Sequence, residues 1–121
     1  MRRAQSTGAR CQDVAVSDFH DAIPDDWIAP GETTAVDVAG IAVAIANVEG
    51  EFFAFGNFCP HQATPLGGLP LMKRCIIACP EHHSMYDVRT GACVLPSDDG
   101  YTGTLTMYTT RVVDSVVQVE L

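Results

Sequence analysis

Long apolar runs are missing from this 121-residue chain, and so is positive charge over most of its length. No stretch approaches the ~20 consecutive apolar residues that a membrane-spanning helix needs, so no membrane partnership is expected. The opening Met1-Arg2-Arg3-Ala4-Gln5-Ser6-Thr7-Gly8 has two arginines but no apolar segment behind them, which argues against a secretory or twin-arginine signal. The expected location is therefore cytoplasmic. Arg2, Arg3 and Arg10 are three of the seven basic residues, which leaves 4 basic against 15 acidic residues from position 11 onward, a balance of −11. Such a body repels nucleic-acid phosphates and anionic membrane surfaces. Either the acidity serves solubility alone, or it steers the protein toward a basic patch on another protein.

An even complement of cysteines is lacking too. Five cysteines argue against a pure disulfide framework, and cysteines close to histidines in a reducing compartment point to metal ligation. Hydrophobic residues make up 47% of the sequence, enough for one folded domain that buries roughly two-thirds of its unfolded surface.

No stretch carries a convincing helical period, repeat or heptad. Residues 1–12 read as a flexible tail, and residues 13–121 as a single domain. The stretch Val14–Trp27 is mixed, with a turn expected at Ile23-Pro24-Asp25-Asp26. From Thr33 the signal is β. Thr33–Val38 and Ile41–Val48 flank a break at Ala39-Gly40, and Glu49-Gly50 makes a hairpin into Phe52–Phe55. Gly56–Pro70 is a loop, Arg74–Ala78 a short strand, Cys79–Ser84 a second loop and Met85–Val88 another short strand. A polar loop, Ser97–Gly103, precedes strands over about Thr104–Val113 and Val116–Leu121. The reading is an all-β fold.

Two fragments carry the chemistry: Cys59-Pro60-His61 and Cys79-Pro80-Glu81-His82, with seventeen residues between them. Each follows an expected strand, and the proline after each cysteine stiffens the turn that presents the histidine. Two loops offering one thiolate and one imidazole each can converge on one site. Chance produces such a match in roughly two of a thousand sequences of this composition, so the motif is specific.

These fragments and their separation resemble the Rieske family. The likeness extends through Gly67-Gly68, the run Tyr86-Asp87-Val88-Arg89-Thr90-Gly91, and Pro96, and covers most of residues 33–121. It is greatest to the ferredoxins of bacterial aromatic-ring dioxygenases. The resemblance implies an antiparallel β-sandwich bearing a two-loop cluster-binding subdomain at about residues 57–88. It implies one [2Fe–2S] cluster, with Cys59 and Cys79 on one iron and His61 and His82 on the other. With neutral imidazoles the oxidised cluster carries no net charge, whereas four thiolates would leave it doubly negative. An electron is added more easily to the neutral form, and Rieske potentials of roughly −150 to +300 mV compare with about −400 mV for all-cysteine plant-type clusters. A monomeric one-electron carrier is implied, working between an NAD(P)H-dependent flavin reductase and a terminal ring-hydroxylating oxygenase.

High-potential members of that family carry a disulfide between the loops; the matching positions here are Thr64 and Glu81, so no such bridge is expected. Ser84 and Tyr86 match positions whose hydroxyls bond the cluster sulfurs in those members, which implies a potential tuned upward for a ferredoxin. His83 stands where the family usually has glycine and reads as a solvated side chain. Cys75 and Cys93 read as small buried apolar residues, Cys11 as a free thiol and His20 as a surface residue. The aromatic group Phe52, Phe53, Phe55 and Phe58 reads as core. The Ser97–Gly103 loop is longer than usual; Asp98 and Asp99 would help dock a partner if it folds near the cluster, and otherwise form a solvated turn.

Three other functions are considered. A Cys₂His₂ set also suits structural zinc, although zinc fingers place both histidines together on a helix. An oxygenase needs a separate site of two histidines and a carboxylate, and only His20 and His83 remain to build one. A Rieske-like subunit of another oxidoreductase, such as an assimilatory nitrite reductase, shares the fold but commonly lacks the four ligands.

Overall fold

The computed structural model describes residues 18–121; the expected tail, Cys11 and the arginines of the first ten positions lie outside the described residues. In chain order the strands are β1 (Phe19–Pro24), β2 (Thr33–Val38), β3 (Ile41–Val48), β4 (Glu51–Gly56), β5 (Ile76–Ala78), β6 (Met85–Asp87), β7 (Cys93–Leu95), β8 (Met107–Tyr108), β9 (Thr110–Val113) and β10 (Val116–Glu120). Among the described residues there is no helix, and every strand pair is antiparallel. The all-β expectation holds.

Short turns set the registers. Ala39-Gly40, Glu49-Gly50 and Asp114-Ser115 all have positive φ at both residues, the geometry that matches the right-handed twist of the strands they join. The result is three sheets, ordered β1-β10-β9, β2-β3-β4-β8 and β5-β6-β7.

Strand β3 explains how the sheets stack. It is buried from Val43 to Val48, so both of its faces are covered. Val43 and Ile45 join Ile23, Ile28, Val38, Ala54, Val117 and Val119 in one apolar cluster. Ala44, Ala46 and Val48 join Phe55, Leu66, Ile77, Tyr86, Val88 and Leu105 in another. Large residues meet small ones across the β3–β4 ladder: Ala44 faces Phe55, Ile45 faces Ala54, and Ala46 faces Phe53. The small side chains of β3 let Phe55 and Tyr86 lie between the middle sheet and the sheet that supports the cysteine loops.

Several boundaries differ from the sequence reading. The mixed stretch before Trp27 contains β1, whose pattern is broken by a register shift between Asp21 and Ile23. Its turn comes at Asp25-Asp26, after Ile23 and Pro24 have paired with β10. The expected Arg74–Ala78 strand begins only at Ile76, because Lys73 and Arg74 adopt positive φ. Thr104–Val113 is split: β8 pairs with β4, whereas β9 pairs with β10. The short β7 is an additional strand, paired with β6.

Candidate metal centre

The two cysteine loops share one backbone design. In the first, the Cys59 N–H donates to Thr64 O at 2.8 Å and the Ala63 N–H donates to Cys59 O at 2.8 Å. In the second, the Cys79 N–H donates to Ser84 O at 2.8 Å and the His83 N–H donates to Cys79 O at 3.0 Å. Four residues beyond each cysteine the chain turns left-handed, at Ala63 (φ 55°) and His83 (φ 66°). This is why glycine suits position 83, and histidine is among the residues that tolerate the conformation better than most. The first loop is held on β2. A Cβ on Gly67 would come within 2.7 Å of both the Ala35 Cβ and Asn57 Oδ1, so only glycine allows that approach. Asn57 Oδ1 accepts from the Gly67 N–H, and Thr33 Oγ1 accepts from the Gly68 N–H, both at 2.8 Å.

These loops bring the four sequence-predicted residues together. Cys59 and Cys79 are each 1% exposed. The rings of His61 and His82 lie edge to face, with centroids 4.8 Å apart. The Nδ1 atoms of both histidines are buried and have no hydrogen-bond partner. A buried, unpaired imidazole nitrogen costs free energy unless something else satisfies it, and two of them side by side call for a shared electrophile. Among the described residues, no three His, Cys, Asp or Glu side chains are grouped as they would be around a single metal ion.

Ser84 and Tyr86 lie within the same pocket, both fully buried. The Cys59 sulfur is 3.6 Å from the Tyr86 hydroxyl and 3.8 Å from the Ser84 hydroxyl. Burial pushes the Cys59 thiol up, but hydrogen bonds from Tyr86, from the backbone N–H groups of His61 and Gln62, and from Cys79 outweigh it and hold the thiol below its ordinary value. Tyr86 moves the other way. Burial first, and then the neighbouring Cys59 sulfur, raise its hydroxyl above the usual range, so it keeps its proton and can donate it to sulfur.

The Ser97–Gly103 loop, expected either at the cluster or in solvent, folds onto the site. The Asp99 Oδ2 lies 2.9 Å from the His61 Nε2, and Tyr101 stacks on the His61 ring with centroids 4.7 Å apart. Asp98 pairs with His83 through Nδ1 at 2.9 Å, so His83 is exposed but not unpartnered. Both carboxylates expected to help docking are thus engaged within the chain. A hydrogen bond from Ser97, and then the nearby His61, hold the Asp99 carboxyl below the usual carboxylate range. Tyr101 is the residue that sequence reasoning missed, and the extra length of this loop is the only signal that could have found it.

Other assignments are mixed. Cys75 and Cys93 are only half-buried, although both pack against the core. Phe55 is buried, whereas Phe58 is 48% exposed: Asn57 takes the inward position and turns Phe58 outward beside Cys59. His20 sits half-buried on β1, opposite Val119.

A family model described as the Rieske [2Fe-2S] domain matches residues 19–107. The chain belongs to that family. Among curated proteins, it is 36% identical over 75 residues to the ferredoxin component of the p-cumate 2,3-dioxygenase system of Pseudomonas putida, covering 60% of this chain and 64% of that protein. It therefore spans just under two-thirds of that relative. It is 30% identical over 101 residues to the 3-phenylpropionate/cinnamic acid dioxygenase ferredoxin subunit of Shigella boydii serotype 4 (strain Sb227), covering 83% of this chain and 91% of the other. Its fold matches the ferredoxin of carbazole 1,9a-dioxygenase from Nocardioides aromaticivorans IC177 with a TM-score of 0.73 and 26% identity, over 84% of this chain and 95% of that one. The donor chemistry of the site fits the family's cluster: two buried sulfurs for iron, and two buried nitrogens with no partner from the protein.

Proposed function

We propose that this protein is a one-electron carrier whose Cys59, His61, Cys79 and His82 hold a Rieske [2Fe–2S] cluster. The observation that carries the reading is the pair of buried, partnerless Nδ1 atoms of His61 and His82 beside two buried cysteines. When bound, the cluster supplies reversible uptake of a single electron at a higher potential than an all-cysteine cluster reaches. The chain does the rest. Its cysteines contribute thiolates, its imidazoles act as neutral ligands, and Ser84 and Tyr86 supply hydroxyls toward the sulfur of Cys59. Those hydroxyls stabilise added negative charge and so raise the potential.

Residues 13–121 act as one domain, and the segment at about 57–88 binds the cluster. The acidic body suits brief docking to basic faces on two partners, a flavin-dependent reductase and a terminal ring-hydroxylating oxygenase. The similarity to dioxygenase ferredoxin subunits supports the oxygenase as a partner; the reductase, the monomeric state and the cytoplasm belong to the same proposal. No helix among the described residues is long and apolar enough to cross a membrane. The similarity to ferredoxin components of dioxygenase systems supports an electron-transfer role, with catalysis in the partner.

The test is elemental analysis of the purified protein, with Cys59→Ser and His82→Ala beside it. Equal amounts of iron and inorganic sulfide, lost in both variants, is the expected result. Zinc in place of iron, without sulfide, would establish the structural-zinc alternative instead.

A further inference from the structure

The two histidines are treated unequally by the fold. His61 has an 11% exposed side chain, its Nε2 is held by Asp99 at 2.9 Å, and Tyr101 covers its face with an interplanar angle of 19°. His82 has only a backbone contact with the same loop, where the Asp98 N–H donates to His82 O at 2.9 Å. Among the described residues, carboxylates pair with the rings of His61 and His83, and none pairs with that of His82.

The covering loop is built rather than draped. Ser97, 5% exposed, donates its hydroxyl to Asp99, and its Oγ accepts from the Tyr101 N–H at 3.0 Å. Its backbone accepts from the Gly100 N–H at 2.8 Å and donates to Tyr101 O at 3.2 Å. A Cβ on Gly103 would run into the Tyr101 ring, so glycine leaves the space in which that ring lies against His61.

We propose that Ser97–Gly103 is a cap that closes His61 to partners and leaves His82 as the ligand through which electrons enter and leave. This inference rests on the ligand assignment above. A docked protein cannot touch the outer edge of an imidazole already occupied by a carboxylate and a tyrosine ring, so contact falls to the neighbouring histidine. Asp99 has a second effect. A carboxylate 2.9 Å from a ligand imidazole nitrogen places negative charge beside the cluster. It therefore lowers the potential, opposing Ser84 and Tyr86.

The experiment uses the cluster-loaded protein at one fixed pH. Diethyl pyrocarbonate is allowed to acylate accessible imidazole nitrogens, and peptide mass mapping reads the rate at each histidine. Electron paramagnetic resonance of the same reduced samples reports separately that the cluster is present. In the unaltered protein His82 labels and His61 is spared. In Tyr101→Ala and in Gly103→Ala, which leave both sulfurs and both imidazoles intact, His61 labels about two- to ten-fold faster, the factor that the loss of one aromatic stacking contact gives. Asp99→Asn raises the midpoint potential, and Asp99→Glu brings it back toward the original value. Equal labelling of His61 and His82 in an unaltered protein that shows the cluster spectrum overturns the cap. An unchanged His61 rate in both loop variants does so too. A protein without that spectrum overturns the ligand assignment, and the cap with it.

Discussion

The two faces of β3 look onto regions held together by different means. On one side, Val43 and Ile45 pack among aliphatic residues from β1, β2, β4 and β10, and strands of up to eight residues supply long ladders. On the other side, β5, β6 and β7 have three residues each, and the core includes Cys59, Cys79 and Tyr86. The first region has all it needs in its own side chains. The second keeps two imidazole nitrogens buried without partners, a state that a protein tolerates where something other than protein completes the site. The sandwich is a self-sufficient base, and under the proposed ligand set the cysteine loops depend on the cluster, because metal binding to such a site is also folding free energy.

Several changes break or sharpen that contrast. The largest effect is expected at the loops: Cys79→Ser removes a proposed sulfur ligand, so loss of iron and colour is expected. Amide hydrogen exchange should then accelerate across residues 57–88 while β3 and β4 stay protected. Next comes the base, where Ile45→Ala opens a cavity at a side chain with no exposure and costs about 2–5 kcal/mol in chemical denaturation. The cluster's spectrum should survive that change in the molecules that remain folded.

A smaller and more local effect is expected from Tyr86→Phe and Ser84→Ala, which remove hydroxyls 3.6 and 3.8 Å from the Cys59 sulfur. Each should lower the midpoint potential by tens of millivolts, since a one-electron couple moves about 59 mV for every tenfold change in equilibrium constant. Redox titration is the measurement, and the absence of a downward shift in both removes the upward-tuning role from these residues. The smallest effect is expected on the surface. Arg74 and Glu49 pair at 3.0 Å with side chains 73% and 58% exposed, so Arg74→Ala should change stability by no more than about 0.5 kcal/mol.

The same contrast explains what could be read from the sequence. The base was legible where partial alternation, a run of β-branched and small residues, and turn pairs coincided, as from Thr33 to Phe55. Strand β1 was not, because Phe19–Pro24 is mixed in polarity and pairs only with β10, almost a hundred residues away in the chain. The four ligand candidates were legible because short spacing and residue type carry their chemistry. The cap was not. Whether Asp99 and Tyr101 reach His61 depends on the empty space at Gly103 and on the bonds that close the loop through Ser97, none of which leaves a period or a motif. Phe58 was misread for a related reason: an aromatic run suggests core, but Asn57 takes the inward place to hold Gly67 and turns the next side chain outward.

The central claim is that two imidazole nitrogens from this chain bind one iron of a two-iron centre. Pulsed electron paramagnetic resonance of the dithionite-reduced protein tests it most directly, because it counts the nitrogen nuclei coupled to the unpaired spin. Two strongly coupled imidazole nitrogens are expected, with one lost when either His61 or His82 is replaced by cysteine. A reduced cluster with no strongly coupled nitrogen, or with both couplings intact in those variants, would contradict it.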